Sequence, residues 1–388
     1  MTRAIAITGG GTGGHVYPAL AICREVQKRG YRPIYIGHPH KPEAALARER
    51  GLEFYGLVPD HSAFRPARMA VSWPLFRSVY GCLRVLRRER VHCVVAMGGF
   101  VSVPAFVAAQ MLRVPCAVHE QNVRPGRSNR LFLRFRPLFL TTFRSTAVYA
   151  AASSAVVHTG CPVDDTIGRI RSSDARKALD VPVDHRVILV LGGSGGAPEL
   201  NDAVLNLIPL LEQRPDVAVI HVTGTNFHEE VRQALAMRCP AGVLDRYRAV
   251  PYANPIAPYY ACADVIVSRA GSASINECVA ARRPCILVPS PHVTEHHQEV
   301  NARRAGDIGV AHVLREAELS GDRLAREIEA VLQQPDGFVA NARIRDELGE
   351  PAAAAAAIAD AIEGYLCSGK RRMLHRKASV ESRGAAHD

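Results

Sequence analysis

Thr8-Gly9-Gly10-Gly11-Thr12-Gly13-Gly14-His15 closes the chain's first apolar run, Ala4–Thr8, and leads into helical periodicity over Pro18–Arg29. Gly9, Gly11 and Gly14 fit G-x-G-x-x-G, the turn by which a strand–loop–helix unit brings backbone amides up to a dinucleotide. That reading also requires an acid at the end of the second strand to hold a ribose, but the second run ends Ile36-Gly37-His38. A phosphate loop of the Walker type requires a lysine after the last glycine, where this chain has His15. The loop is therefore built for close approach of a helix N-terminus to an anion, and neither an NAD site nor a P-loop fits it. His15 offers an imidazole that accepts a proton near neutral pH, with capping of the helix as the alternative role.

Outward from this loop, short apolar runs alternate with helical stretches. Strands are expected at Pro33–Ile36, Phe54–Leu57, Cys93–Ala96, Cys116–His119 and Leu138–Thr142, and helices at Pro42–Arg50 and Val101–Leu112 among others. Such alternation predicts an α/β chain with a doubly wound parallel sheet. The pattern breaks near Gly160-Cys161-Pro162-Val163 and restarts with Arg186–Leu191, Val217–Val222, Tyr247–Val250, Val265–Ser268 and Cys285–Val288. Two Rossmann-like domains facing each other across a cleft follow, over 1–160 and 161–366. Glu350–Leu366, with its alanine run, is a helix by propensity, and the basic segment 367–388 is expected to be disordered.

The 388 residues suffice for two cores, and no apolar run approaches a membrane-spanning helix. The N-terminus enters a strand at once, without the apolar core of a signal peptide, which predicts a cytoplasmic location. Ten scattered cysteines with no C-x-x-C fit small buried hydrophobes in a reducing compartment better than disulfides or structural zinc. The net charge of +11 is uneven: residues 1–160 carry 22 Lys+Arg against 7 Asp+Glu, and the remainder is net −4. A basic first half suits an anionic partner (a membrane, a pyrophosphate or a nucleic acid), and coding bias toward solvated arginines is the plain alternative.

Three further segments carry chemistry. Leu191-Gly192-Gly193-Ser194-Gly195-Gly196-Ala197 repeats the strand–glycine–helix arrangement, with a hydroxyl on Ser194 beside open amides. Arg269-Ala270-Gly271-Ser272-Ala273-Ser274-Ile275-Asn276-Glu277 opens a helix on small residues, leaving its N-terminus free for a pyrophosphate. Glu277, on the Ser274 face, suits a vicinal diol, although Ser274 with Glu277 also fits a capping box. In Pro291-His292-Val293-Thr294-Glu295-His296-His297-Gln298-Glu299-Val300-Asn301, His292 and His296 have zinc-ligand spacing. Pro291 places His292 before the helix and no cysteine completes a set, so no metal site is expected. Gln298 and Asn301, about one turn apart, suit sugar hydroxyls.

Gly9–Pro18, Met97-Gly98-Gly99-Phe100-Val101-Ser102, His119-Glu120-Gln121-Asn122, Gly192–Ala197, Gly271–Glu277 and His292–Asn301 together resemble the MurG family, glycosyltransferase family 28. The resemblance spans residues 3 to about 315, and the His-Glu-Gln-Asn run is its most specific part. It implies a GT-B fold and an inverting, metal-independent transfer of GlcNAc from UDP-GlcNAc to the lipid-linked pyrophosphate precursor of peptidoglycan, with no cofactor. With that come roles in cell shape and division, and partners of cell-wall synthesis rather than nucleic acid. It implies donor contacts at Ser194, Ala253, Ser272, Ala273, Ser274, Ile275, Asn276, Glu277 and Gln298, and contacts near the transferred sugar at Thr12, Gly13, Gly14 and Asn122. His15 matches a histidine proposed to help deprotonate the acceptor hydroxyl.

A lipid acceptor implies docking on the cytoplasmic face of an anionic cell membrane. Ser72–Val91 suits that role, with Trp73, Leu75, Phe76, Val79, Tyr80, Leu83 and Leu86 among Arg77, Arg84, Arg87 and Arg88. Arg124–Phe143 is similar, with Arg127, Arg130, Arg134 and Arg136 beside Phe132 and Phe135. Two departures from the family pattern stand out: Gly195 replaces a glutamine, and Asp164 replaces a donor-contacting arginine. Three other readings remain: a UDP-sugar transferase with another acceptor, a UDP-GlcNAc 2-epimerase, and a binder without activity.

Overall fold

The computed structural model describes residues 2–11, 13–57, 73–193, 195–333 and 342–368, so Thr12, Ser194, Ser72 and most of the basic tail lie outside the described residues. The first sheet comprises β1 (Ala4–Thr8), β2 (Arg32–Gly37), β3 (Glu53–Gly56), β4 (Val91–Ala96), β5 (Cys116–Glu120), β6 (Leu138–Thr141) and β7 (Val156–His158), in the order β3-β2-β1-β4-β5-β6-β7. The second comprises β8 (Arg186–Leu191), β9 (Val217–Val222), β10 (Tyr247–Val250), β11 (Val265–Ser268), β12 (Cys285–Leu287) and β13 (Ala311–Val313), in the order β10-β9-β8-β11-β12-β13. Adjacent strands pair in parallel throughout both sheets. This is the expected architecture of two doubly wound α/β domains. The central strands are apolar without alternation because helices cover both faces, as β1 and β9 show by being buried along their whole length.

Two edge strands were not expected, β7 and β13. Each is three residues long and partly exposed, which leaves no apolar run to detect. The first helix begins at Gly13, five residues before the expected start, and continues to Lys28 with Pro18 inside it. Because Pro18 lacks an N–H, it cannot bond the carbonyl one turn back, so the Gly14 carbonyl goes without that helical bond, and the first-turn amides are those of Gly13, Gly14 and His15.

The last described helix, 354–368, does not stay with the second sheet. Ile358, Ala359 and Ile362 are buried in one cluster with Ile5, Ile7 and Leu20 of the first domain. Arg29 clamps the helix from outside, bonding Asp360 at 2.5 Å, Glu363 at 3.2 Å and the Ala356 carbonyl at 3.1 Å. The span 161–366, expected to be one unit, therefore hands its final helix back to the other domain. An apolar stripe one turn apart on an alanine-rich helix shows that a face is buried, but not against which sheet.

Candidate functional site

In both sheets the strand order reverses between two neighbouring strands, β1 and β4 in the first and β8 and β11 in the second. A crevice forms outside the carboxyl ends of strands at such a switch point, and ligands bind there. The loops flanking these points are Gly9–Gly14, Met97–Ser102, Gly192–Ala197 and Arg269–Glu277.

The first glycine loop is supported from below. Tyr35 donates from its hydroxyl to the Gly9 carbonyl at 2.8 Å. A Cβ at Gly10 would lie 2.2 Å from Glu43 Oε1, so any side chain there would displace the Glu43 carboxylate. Glu43, fully buried, accepts from the Gly11 amide at 3.4 Å and the His38 amide at 3.3 Å. An acid therefore does come to this loop, from the Pro42–Glu49 helix rather than from a strand end. It binds loop amides, so it cannot serve a ribose, and the sequence reading missed it.

The Gly-Gly-x-Val-Ser turn locks onto the same loop. Gly98 and Gly99 have φ of +91° and +71°, which favour glycine. Ser102 donates to the Gly98 carbonyl at 2.6 Å and lies 3.1 Å from the Thr8 carbonyl, tying the turn to the end of β1. After β5, buried Glu120 accepts four hydrogen bonds: the Asn122 amide at 2.9 Å, Asn122 Nδ2 at 3.1 Å, the Gly126 amide at 3.0 Å and Asn129 Nδ2 at 2.8 Å. Burial raises its pKa and these donors oppose the rise. Glu120 thus shapes the turn that presents Asn122.

On the other side of the cleft the helix Ser272–Ala281 has Gly271 as its N-cap, in an extended conformation and without a side-chain cap. The capping-box alternative fails because Ser274 lies inside the first turn. Ile275 already donates its amide to Gly271 at 3.1 Å, leaving the amides of Ser272, Ala273 and Ser274 without intrahelical partners. The side chains of Ile275 and Asn276 are fully buried, and Asn276 Nδ2 bonds the Ser272 carbonyl at 2.8 Å. Glu277 is partly exposed and takes a hydrogen bond from Tyr260 at 2.8 Å on Oε2, which leaves Oε1 for a ligand. Burial raises its pKa; the Tyr260 hydrogen bond works against this, and the charge on Asp164 works with it.

Several expected contacts have other uses in this closed arrangement. Asn301 is fully buried, accepts from the Val123 amide at 3.0 Å and donates to Asn122 Oδ1 at 3.0 Å, so it joins the domains instead of facing a sugar. Ser272 donates to the Gln121 carbonyl across the cleft. Gln298 accepts from the Ser290 amide at 2.9 Å through Oε1. Ala253 is buried beside exposed Tyr252, whose hydroxyl meets that of Tyr17 from the first domain. Gly195 is exposed, and a Cβ there would meet nothing within 4 Å, so the departure from glutamine leaves open space. Asp164 is exposed and accepts from the Thr166 amide at 2.9 Å and hydroxyl at 2.6 Å. His292 does not pair with His296: its Nε2 lies 3.7 Å from Glu316 and it groups with Glu199, while the Arg269 guanidinium already bridges both carboxylates.

His15 keeps some exposure to the cleft, yet burial first and the charge on His297 second lower its pKa to about 4. His119, fully buried between the Gly160 carbonyl and Gln121 at 3.0 Å each, is also lowered to about 4, chiefly by burial. His221, between Tyr247 at 2.8 Å and Asn201 at 2.9 Å, falls to about 3, again chiefly by burial. All three are neutral when folded, whereas the unfolded chain protonates them near pH 6.5. The unfolded state therefore binds more protons as pH falls below 6.5, and stability drops until the folded pKa values are reached. Each histidine accounts for about 2 kcal/mol lost by pH 5. Denaturant midpoints measured from pH 7 to 5 should fall accordingly, and His221→Gln should flatten the slope; a flat profile in the wild type would refute this assignment.

Residues 5–139 match the sequence model of the glycosyltransferase family 28 N-terminal domain, and residues 187–357 that of the family 28 C-terminal domain. A Natranaerobius thermophilus protein, named UDP-N-acetylglucosamine–N-acetylmuramyl-(pentapeptide) pyrophosphoryl-undecaprenol N-acetylglucosamine transferase, is 31% identical over 355 residues, covering 90% of this chain and 96% of that one. Among solved structures, Acinetobacter baumannii MurG superposes with a TM-score of 0.70 at 23% identity, covering 94% of this chain and 100% of that one. The UDP-GlcNAc 2-epimerase of Neisseria meningitidis bound to UDP-GlcNAc superposes at 0.65 with 12% identity, covering 94% and 100%. At these identities the structural likenesses speak to the fold, and the sequence matches distinguish between the two chemistries.

Proposed function

This chain belongs to glycosyltransferase family 28, and on that premise we propose that it transfers GlcNAc from UDP-GlcNAc to the 4-hydroxyl of MurNAc-(pentapeptide)-pyrophosphoryl-undecaprenol, turning lipid I into lipid II. The observation that supports this most is the meeting of two unlike sites at one cleft. One is the Ser272–Ala281 helix start, with its free amides and the Glu277 carboxylate. The other is His15, neutral in the first turn of the helix that follows the opposing glycine loop.

The UDP diphosphate lies at the amides of Ser272, Ala273 and Ser274, whose dipoles take up the charge that grows as UDP leaves. Glu277 Oε1 accepts from a ribose hydroxyl, and Ser194, Ala253 and Gln298 complete the donor site. Ile275 and Asn276 act by setting the helix turn. Thr12, Gly13, Gly14 and Asn122 face the transferred sugar. The acceptor 4-oxygen attacks the anomeric carbon, His15 takes the hydroxyl proton, and the carbon–oxygen bond to UDP breaks with inversion. Helix amides and His15 supply the charge stabilisation and proton acceptance in this scheme, without assigning a step to a metal.

The acceptor's lipid tail requires a membrane-facing surface. No helix among the described residues is long and apolar enough to cross a membrane. The helix Trp73–Arg88 buries Ser78, Cys82, Val85 and Leu86, and turns Trp73, Phe76 and Tyr80 outward at 72%, 62% and 54% exposure, with Arg77, Arg84 and Arg87 on the same side. Met111 is exposed on the neighbouring helix Val103–Leu112 and Phe135 in the turn after Arg127–Leu133, whereas Phe132, expected on this face, is buried in a stack with Phe106 at 4.0 Å. The chain thus docks peripherally on the anionic cytoplasmic face of the cell membrane. The triple change Trp73→Ser, Phe76→Ser, Tyr80→Ser should weaken sedimentation with anionic phospholipid vesicles about 10-fold or more. Unchanged sedimentation would move the membrane contact elsewhere.

The test of the function is UDP release from UDP-GlcNAc with and without lipid I. Release that requires lipid I is expected. Turnover of UDP-GlcNAc alone would favour an epimerase, turnover with another acceptor a different transferase, and binding without turnover an inactive relative.

A further inference from the structure

The helix His297–Asp307 is preceded by two consecutive non-glycine residues in the left-handed region, Glu295 with φ of 56° and His296 with φ of 53°. Left-handed backbone is costly for residues with a Cβ and persists only where surrounding contacts hold it. The contact holding Glu295 comes from the other domain. Its Oε1 meets Arg130 in an ion pair and Arg127 Nε at 3.3 Å, both on the helix Arg127–Leu133, and the carboxylate is largely buried. Its second oxygen, Oε2, is buried without a hydrogen-bond partner and lies 3.8 Å from His297 Nε2. His297 Nδ1 is likewise buried without one.

Other contacts also join the domains: Tyr17 with Tyr252, Arg24 with Asp165 at 2.8 Å, and Asn122 with Asn301. The Glu295 contact differs in that a strained turn and an acid from one domain close on two cations of the other, immediately before a histidine that acts on His15. The charge of His297 is felt at His15, and His297 in turn faces Glu295, Arg130 and Arg124.

We propose that Glu295 is a positioning residue for the transfer reaction: its clasp on Arg130 and Arg127 holds the donor domain closed and fixes the start of the helix that carries His297. This rests on the transferase reading above. Glu295 does not touch substrate; it acts through His297 and through closure. Burial lowers the pKa of His297, so the imidazolium that forms when His15 takes the acceptor proton meets an uncharged histidine on the side the clasp holds in place. When the clasp opens, the Glu295–His296 turn relaxes and His297 leaves His15 with its domain.

Three variants test this, each compared with the wild type by kcat, UDP-GlcNAc affinity and thermal stability. Glu295→Gln should lower kcat about 10-fold or more, and leave UDP-GlcNAc affinity within about threefold because the donor helix is untouched. Glu295→Gly relieves the left-handed strain and so keeps or raises stability, yet should lose kcat to the same extent. The swap Glu295→Arg with Arg130→Glu should recover most of the loss. A kcat within about threefold of wild type in Glu295→Gly would overturn the proposal. So would a swap no better than Glu295→Gln, since Arg130 would then be serving the acceptor and not the clasp. If the wild type itself transfers nothing to lipid I, the transferase reading fails and the clasp is not at issue.

Discussion

His15→Ala lowers kcat by ~10²–10⁴-fold, the range that removal of a general base produces, and barely moves UDP-GlcNAc affinity. The direction follows from placement. His15 lies in the first turn of the helix after the loop at the switch point of the first sheet, while the donor helix Ser272–Ala281 belongs to the second. The pH profile makes the test sharper. Burial and the charge on His297 hold the pKa of His15 to about 4, so the free enzyme carries a neutral imidazole through the physiological range. The profile of kcat/KM reports the free enzyme, and its acid limb should lie well below 6.5. The profile of kcat reports the complex, in which two pyrophosphates bring negative charge to the cleft and favour the imidazolium, so its acid limb should lie higher. Full activity in His15→Ala would remove the residue's role and leave the fold intact.

Much of this arrangement was legible in the sequence because backbone geometry dictates it. Strands β1, β8, β9, β10 and β11 have the expected bounds. Of these, β1, β9 and β11 are buried along their whole length and β8 in all but its first residue, and such strands read as apolar runs, while β10 at the sheet edge is found from its short run despite Arg248. The glycines of both loops mark close backbone approach, as at Gly10 above Glu43 and at Gly196, where a Cβ would lie 2.5 Å from the Thr223 carbonyl. The site's supports were not legible, because they come from distant side chains with no pattern of their own. Glu43 reaches the loop from the next helix, and Asn301, which reads as a sugar ligand by its spacing from Gln298, is spent on Asn122 and Val123 instead. The basic surplus of the first domain was legible as a sum only. Arg29 and Arg130 are used internally, one on the helix 354–368 and one on Glu295, while Arg77, Arg84 and Arg87 face outward.

The second large effect is expected at Glu120, a residue read in the sequence only as part of a motif. Its carboxylate is 1% exposed, and its two oxygens each take two of the four donors: Oε1 holds the amide and Nδ2 of Asn122, and Oε2 holds the Gly126 amide and Asn129 Nδ2. Glu120→Ala leaves the Asn122 and Gly126 amides and Asn122 Nδ2 without this acceptor, and Asn129 Nδ2 with only the His119 carbonyl, at a cost of about 3–5 kcal/mol. Glu120→Gln is the more telling change because it keeps the volume. Whichever way the amide turns, its NH2 faces a pair of donors, so half the turn is repelled whatever the rotamer. Asn122 then loses its anchor, and with it the hydrogen bond to Asn301 that joins the domains. We expect kcat in Glu120→Gln to fall about 10²-fold and the melting temperature to drop by several degrees. UDP-GlcNAc affinity should change little, because the donor helix keeps its own supports. Wild-type kcat and stability in Glu120→Gln would mean that the turn holds its shape without the charge, and that Asn122 is positioned by Asn301 alone.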